Sequence, residues 1–147
     1  MIRLLFILLI FLFGCNNSQP KKIVASVVSA KKEASEIGIK ILEKGGNAFD
    51  AMIATDLALA VCYPSAGNIG GGGFMIYRTS DGQIGTLDYR EKAPEKSNEN
   101  MFLDSNGNVI MGKSTMGGLS VGVPGTVAGL FEVHKRFGSL PFETLIK

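Results

Sequence analysis

Four consecutive glycines, at positions 70–73, stand directly before the apolar run Phe-Met-Ile-Tyr. A short apolar and aromatic run of this kind is typical of a β-strand. Glycine carries no Cβ atom, so its backbone can bend tightly and another segment can approach it closely. The run predicts either a tight bend where a strand enters a crowded core or a close approach of backbone to a ligand, and composition favours the first. A dinucleotide-type phosphate turn is disfavoured because it needs a helix directly after the glycines.

Periodicity along the rest of the chain predicts a mixture of helices and strands. Two strand-like runs flank Asp81-Gly82, one of the strongest sequence signals for a hairpin turn. Asn47 is suited to cap a long apolar helix that Pro64 ends, and the glycine pair 45–46 ends the helix before it. The predicted elements are a strand at 22–29, helices within 30–46 and 47–63, hairpin strands at about 73–79 and 84–90, a helix at about 125–136 that stops at Gly138, and a last helix from about Pro141.

The first 14 residues are predicted to be a lipoprotein signal peptide. Arg3 precedes ten apolar residues, from Leu4 to Phe13, which are too few to span a bilayer core of about 30 Å. The sequence Leu-Phe-Gly-Cys that ends at Cys15 resembles the processing box of bacterial lipoproteins, so Cys15 is the expected site of lipidation. The alternative is a leader that is left uncleaved, or cleaved conventionally, with an incidental cysteine.

The domain boundaries follow from this leader. Residues 15–22 form a predicted polar linker, and residues 23–147 form the predicted domain. We expect an exported protein, in the periplasm or at the cell surface, that a lipid on Cys15 anchors to a bacterial membrane. The other cysteine, Cys62, then has no disulfide partner, and its apolar helical surroundings predict a buried, small hydrophobic residue.

Charge and the histidine count disfavour several classes of site. The formal net charge is only +2, which gives no basic excess for binding nucleic acid. His134, the single histidine, has no second histidine or clustered acids at metal-ligand spacing. We therefore expect a surface role for His134, no metal site and no cofactor.

The segment Gly107–Ser114, Gly-Asn-Val-Ile-Met-Gly-Lys-Ser, matches the phosphate-loop pattern G-x-x-x-x-G-K-[ST]. A phosphate loop needs a buried strand before its first glycine and a helix directly after its lysine. Here a turn-like Asp-Ser-Asn comes before the glycine, and a glycine-rich stretch comes after Lys113. Nucleotide binding therefore remains a weak alternative.

Arg90 lies in the charged segment Asp-Tyr-Arg-Glu-Lys-Ala-Pro, residues 88–94, at the end of the predicted hairpin. Its guanidinium could pair with Asp88 or Glu91 on a solvated edge, a contact that contributes little to stability. It could instead bind a substrate carboxylate through two parallel hydrogen bonds, which a lysine cannot do. The residues alone leave both interpretations open.

Four segments together resemble the γ-glutamyltranspeptidase family, also called glutathione hydrolases. They lie at 34–54, 67–77, 87–94 and 120–130, and the resemblance runs from about Lys22 to Lys147, the opening part of the family's large subunit. It implies an α+β fold, the αββα sandwich of N-terminal-nucleophile hydrolases, incomplete in this chain. It also implies that Arg90 binds the α-carboxylate of the γ-glutamyl group, and that a threonine at the start of the small subunit attacks the γ-glutamyl amide to form an acyl-enzyme.

The chain departs from the family pattern at the nucleophile. The family's processing threonine stands in a Thr-Thr-His context, and none of the threonines here is followed by Thr-His; they are Thr55, Thr79, Thr86, Thr115, Thr126 and Thr144. We therefore expect no catalytic residue in this chain, no activity of the chain alone, and a fragment or truncated reading frame.

The expected partners of the complete enzyme are glutathione or other γ-glutamyl compounds, and a small subunit from the same precursor that carries the catalytic threonine. The alternative is a catalytically inert lipoprotein that binds a γ-glutamyl or amino-acid ligand.

Overall fold

The computed structural model of the chain describes residues 25–147. The predicted signal peptide, Cys15 and the polar linker lie outside the described residues. The elements are helices α1 (Lys32–Glu43) and α2 (Ala48–Cys62), strands β1 (Phe74–Arg78) and β2 (Ile84–Asp88), a 3₁₀ turn (Gly118–Ser120), and helices α3 (Thr126–Phe137) and α4 (Phe142–Ile146). Within residues 25–147, no helix combines the length and apolar character that a membrane span requires.

Helix α2 is the centre of the helical layer and packs against α1, α3 and α4. Its apolar first half joins residues of the other elements in one core: Ile41, Ala51, Ile53, Ala54, Met75, Leu130, Val133 and Leu145. Gly38 of α1 faces α2 so closely that a Cβ atom there would overlap the hydroxyl of Thr55. Gly45, with φ of 90°, ends α1 in the left-handed region, as its sequence predicted.

The N-terminus of α2 is closed by a capping box. The Asn47 side chain accepts hydrogen bonds from the backbone N–H groups of Phe49 (2.8 Å) and Asp50 (3.0 Å), and Asp50 Oδ2 accepts from Asn47 N–H at 2.9 Å. These bonds satisfy backbone donors that the first turn of a helix otherwise leaves without partners. The prediction that Asn47 caps this helix is confirmed.

The same cap ties α2 to the connection between α3 and α4. Asp50 is completely buried and accepts hydrogen bonds from Ser139, through its backbone N–H (3.1 Å to Oδ1) and through its hydroxyl. Asn47 Nδ2 donates to the carbonyl of Phe137, the last residue of α3, at 2.6 Å. The two polar side chains therefore fix the position of the C-terminal end of α3.

Burial by itself would raise the pKa of Asp50, because it disfavours the charged form. The hydrogen bonds from Ser139 and from the backbone outweigh that effect and hold the pKa of Asp50 below its ordinary value of 3.8. Asp50 is therefore a buried carboxylate whose charge is stabilised by donors and not by a cation.

Strands β1 and β2 form the predicted antiparallel hairpin, with Phe74 opposite Asp88 and Arg78 opposite Ile84. Gly82, with φ of 89°, makes the turn in the left-handed region. Side chains alternate between the two faces of a strand. One face turns Met75 into the core, while the other leaves large apolar side chains exposed: Phe74, Ile76 and Ile84.

An aromatic cluster joins the hairpin to the helices. The ring of Phe49 stacks on that of Phe137 with centroids 4.3 Å apart, and the ring of Tyr77 lies 5.9 Å from Phe49 and 4.8 Å from Phe137. Tyr77 comes from β1, Phe49 from the first turn of α2 and Phe137 from the end of α3. The cluster therefore fastens the sheet to the same end of the helices that Asp50 holds.

Two predictions about burial and strand content were wrong within the described residues. Residues 25–29 form no strand, because no other described segment supplies the partner that a ladder needs. Ser29 instead bonds to the Lys31 carbonyl at 2.7 Å and so leads into α1. The second half of α2 is also more open than its apolar sequence indicated: Val61 is 83% exposed, and Cys62 is only partly buried.

Replacing Asp50 with asparagine should lower the free energy of unfolding by about 1–3 kcal/mol, because an amide N–H₂ would meet the donors of Asn47 and Ser139. The folded-state pKa of Asp50 is lowered, so its contribution is present above its unfolded pKa and is lost as the pH falls through the folded value. The gap between wild type and Asp50→Asn should therefore be full at pH 7 and should shrink in acid below pH 3.8.

Chemical denaturation at both pH values measures this gap. Asp104→Asn is the matched control, because Asp104 also accepts backbone N–H bonds, from Asn106 and Asn108, but is exposed and joins no two elements. It should change stability much less. Equal stability of Asp50→Asn and wild type at pH 7 would show that the Asp50 bonds do not hold the helical layer together.

Candidate functional site

Arg90 lies two residues beyond the end of β2, with its side chain exposed. Its backbone N–H donates to Oδ1 of Asp88 at 3.0 Å. Its guanidinium lies over the ring of Phe74, with Cζ 5.7 Å from the ring centre. Among residues 25–147 the ion pairs are Lys32–Glu36, Arg136–Glu132 and Lys147–Glu143. Arg90 therefore pairs with neither Asp88 nor Glu91, and its charge is available to an anion from outside.

The glycine run is bound to the start of α3. The carbonyl of Gly71 accepts hydrogen bonds from the backbone N–H groups of Gly125 (2.9 Å) and Thr126 (3.0 Å). The hydroxyl of Thr126 donates to the carbonyl of Asn68 at 3.3 Å. The backbone before β1 therefore partners donors that a helix start leaves open.

The next two glycines run beside the segment that carries Arg90. Gly73 and Tyr89 exchange two backbone bonds, of 3.4 and 2.9 Å, which extend the hairpin ladder by one pair. A Cβ atom on Gly72 would lie 2.6 Å from the Tyr89 carbonyl oxygen and 2.7 Å from Cα of Arg90. Neither distance is tolerable for a real side chain, so glycine is required at position 72.

Two glycines of α3 close the other side of Tyr89. A Cβ atom on Gly125 would overlap the Tyr89 carbonyl, and one on Gly129 would overlap the Tyr89 side chain. We call these four residues, Gly72, Gly73, Gly125 and Gly129, the glycine cradle. It confirms the structural interpretation of the glycine run, because the absent side chains let three backbone segments pack together.

A groove of about 280 Å³ lies between this segment and the start of α3. Two backbone bonds between Lys92 and Val123, of 3.1 and 2.8 Å, close one end of it. Its lining carries both charges: Arg90 and Lys92 are cationic, and Asp88 and Glu132 are anionic. A guanidinium at the rim of such a groove can bind a carboxylate through two hydrogen bonds.

A second, larger cleft of about 590 Å³ lies between residues 25–29 and α2, with Tyr89 at its edge. Asp56 is the acidic residue in its largely apolar lining, and burial raises the pKa of this carboxyl. Burial also raises the pKa of Tyr89, and the negative charge of Asp56 adds to that shift. Sequence reasoning missed Asp56, although one acidic residue inside an apolar helical run was a usable signal.

The remaining candidates from the sequence lie outside this site. Gly107 and Gly112 have φ of 82° and 78°, and Val109 forms an isolated bridge with Leu103. Turns follow Lys113, and in the described chain no helix begins there. The segment Gly107–Ser114 therefore lacks both the strand and the helix that hold a phosphate.

His134 has a structural place on α3. Its Nε2 atom lies 2.7 Å from the carbonyl oxygen of Leu140, and its ring meets the ring of Phe142 edge-on, with centroids 5.1 Å apart. The expected surface role was only partly right, because His134 is half-buried and joins α3 to α4. Residues 25–147 bring no three potential metal ligands together.

Comparison with known proteins points to one family. The family profile described as Gamma-glutamyltranspeptidase matches residues 34–147. The glutathione hydrolase proenzyme of Pseudomonas sp. (strain A14) is 52% identical over 120 residues, which cover 82% of this chain and 21% of that protein.

Two solved structures are similar in fold as well as in sequence. The crystal structure of Helicobacter pylori gamma-glutamyltranspeptidase gives a TM-score of 0.79 at 51% identity, and covers 84% of this chain and 35% of that one. Gamma-glutamyltranspeptidase from Pseudomonas nitroreducens, complexed with L-DON, gives 0.76 at 48% identity, with coverage of 82% and 36%. The chain therefore spans about a fifth of its curated relatives and adopts part of the N-terminal-nucleophile hydrolase fold, which confirms the predicted class.

Replacing Gly129 with alanine should destabilise the protein by about 1–3 kcal/mol, because the added methyl group overlaps the Tyr89 side chain. In an ordinary helix the same change stabilises by about 1 kcal/mol, so the sign of the effect is itself the test. Thermal or chemical unfolding measures it. Gly118→Ala is the matched control, since its Cβ would meet no atom within 4 Å. A Gly129→Ala protein as stable as wild type would contradict the glycine cradle.

Proposed function

This chain belongs to the gamma-glutamyltranspeptidase family, and we propose on that basis that it is the N-terminal part of an exported γ-glutamyltransferase or glutathione hydrolase. The proposed substrates are glutathione and related γ-glutamyl compounds, whose γ-glutamyl amide is cleaved. Printed descriptions of the relatives as glutathione hydrolases and gamma-glutamyltranspeptidases support this choice of substrate.

The observation that carries the proposal is the state of Arg90. Its guanidinium is exposed, has no ionic partner among residues 25–147, and stands on a backbone that the glycine cradle fixes. A planar guanidinium can donate two parallel hydrogen bonds to a carboxylate. In the proposed complex, Arg90 binds the α-carboxylate of the γ-glutamyl group and so places the amide at a set distance from the groove.

The nucleophile comes from a segment that these 147 residues do not contain, because none of their threonines stands before Thr-His. In the proposed reaction, the threonine Oγ attacks the γ-carbonyl carbon while its own α-amine takes the proton. The C–N bond of the amide then breaks, and the leaving amine departs with a proton. Water or an acceptor amine resolves the acyl-enzyme. The chain by itself contributes binding and no chemistry.

Exposed apolar surface supports a partner layer that carries this nucleophile. Ile76 and Ile84 on the open face of the hairpin are 79% and 74% exposed, and Val61 on α2 is 83% exposed. Large exposed apolar patches mark surfaces that another layer covers. We propose that the small subunit of the same precursor covers them. Lipid attachment at Cys15, with tethering to a bacterial membrane, is part of the same proposal.

The second candidate function is an inert lipoprotein that holds a γ-glutamyl or amino-acid ligand. The accessible guanidinium of Arg90 favours it equally, since binding needs no nucleophile. Reading the gene beyond the codon for Lys147 separates the two. A Thr-Thr-His segment in frame, or directly after a frameshift, supports the enzyme. A stop codon followed by unrelated sequence removes the proposed activity and leaves the binding protein, which calorimetry with glutamate would then test.

In the complete gene product, Arg90→Ala should raise KM for a γ-glutamyl anilide by roughly 10- to 100-fold, since a hydrogen bond to a charged group contributes about 1.5–3 kcal/mol. The effect on kcat should be small, because the α-carboxylate does not react. Steady-state kinetics measures both constants. Arg78→Ala is the matched control, because Arg78 is also an exposed arginine of the hairpin but lies at its far end. Equal KM values for Arg90→Ala and wild type would remove Arg90 from the site.

A further inference from the structure

The open face of the hairpin places an aromatic ring beside Arg90. Phe74 is opposite Asp88 in the ladder, and the same register continued by two residues brings Arg90 opposite Gly72. Phe74 and Arg90 are then diagonal neighbours on one face, which long and aromatic side chains can bridge. The Cζ atom of Arg90 lies 5.7 Å from the centre of the Phe74 ring, within the range of a cation–π interaction.

Two features leave the ring and the guanidinium in contact with each other. Gly72 has no side chain, so nothing occupies the position directly opposite Arg90. Asp88 lies on the same face, but its Oδ1 atom accepts the backbone N–H of Arg90 and makes no ion pair with the guanidinium. The nearest carboxylate in the ladder therefore fixes the Arg90 backbone without neutralising its charge.

We propose that Phe74 is a positioning residue for Arg90: its ring supports the flat face of the guanidinium and leaves the N–H edge free for a carboxylate. This inference rests on the proposed function, in which Arg90 binds the α-carboxylate of the γ-glutamyl group. An arginine side chain has several rotatable bonds, and binding is weaker when they are ordered only as the ligand arrives. A ring that holds the guanidinium in advance removes part of that cost.

Kinetics of the complete gene product with a γ-glutamyl anilide tests this role. Phe74→Leu should raise KM about two- to five-fold with kcat unchanged, as expected for an exposed cation–π contact. Phe74→Tyr keeps the ring and should keep the wild-type KM. Ile76→Ala is the matched control: Ile76 is exposed on the same face but lies one pair further from Arg90, so its loss should leave KM unchanged.

A double-mutant cycle ties the effect to Arg90. In an Arg90→Ala background, Phe74→Leu should raise KM no further, because there is no guanidinium left to support. An unchanged KM in Phe74→Leu, or the same rise with and without Arg90, overturns the positioning role while the effect of Arg90→Ala stands. An unchanged KM in Arg90→Ala itself would instead overturn the proposed function of Arg90.

A second measurement needs neither activity nor a folded variant. In nuclear magnetic resonance spectra of the wild-type protein, the ring current of Phe74 should move the side-chain Nε–H and Hδ signals of Arg90 upfield of those of Arg78. Loss of that shift in Phe74→Leu supports the contact. Arg90 signals that coincide with those of a freely moving arginine in the wild type would overturn it.

Discussion

Close contact between backbone segments is the constraint on which the rest of this structure depends. The strand end that carries Tyr89 and Arg90 lies between the glycine run and the start of α3, at distances that no Cβ atom would permit. Glycine loses about 0.5–1 kcal/mol more than alanine on being ordered, so a run of four is tolerated only where it gains contacts. Here the gain is the seat of Arg90, together with the two bonds that Gly71 accepts from the start of α3.

Helix α3 is held at both ends by different chemistry. At its N-terminus, Gly71 accepts backbone hydrogen bonds from Gly125 and Thr126. Just beyond its C-terminus, Ser139 donates to the buried carboxylate of Asp50, which belongs to the capping box of α2. Because α2 is the centre of the core, its cap sets the position of α3, and α3 in turn sets the position of the strand end. The exposed guanidinium of Arg90 is therefore connected to the core through backbone contacts, without itself being buried.

Local signals allowed much of the fold to be predicted. Asn47, Gly45, Asp81-Gly82 and Gly138 each impose a conformation on their own neighbourhood, and the helices and the hairpin end where these residues stand. Properties that depend on distant segments were less accessible. Residues 25–29 form a strand only if another segment pairs with them, and the exposure of Val61 depends on what covers α2.

The site shows the same division. Arg90 was identified through resemblance, because its composition and spacing fit a surface ion pair equally well. Gly125 and Gly129 lie more than thirty residues beyond Tyr89 in the sequence, so their contact with it has no local signal. The partnership of Phe74 with Arg90 becomes visible only when the strand register is known.

The rigidity around Arg90 agrees with the part it has in the proposed reaction. A carboxylate keeps its charge from the free substrate to the acyl-enzyme, so a group that binds it stabilises ground state and transition state alike. Such a group improves binding without accelerating the chemical step, and it is most effective where little entropy remains to be lost. A strand end fixed by the glycine cradle meets that requirement. The nucleophile, whose bonds change during the reaction, belongs to a different segment, so the distance between anchor and nucleophile depends on how the open face of the hairpin is covered.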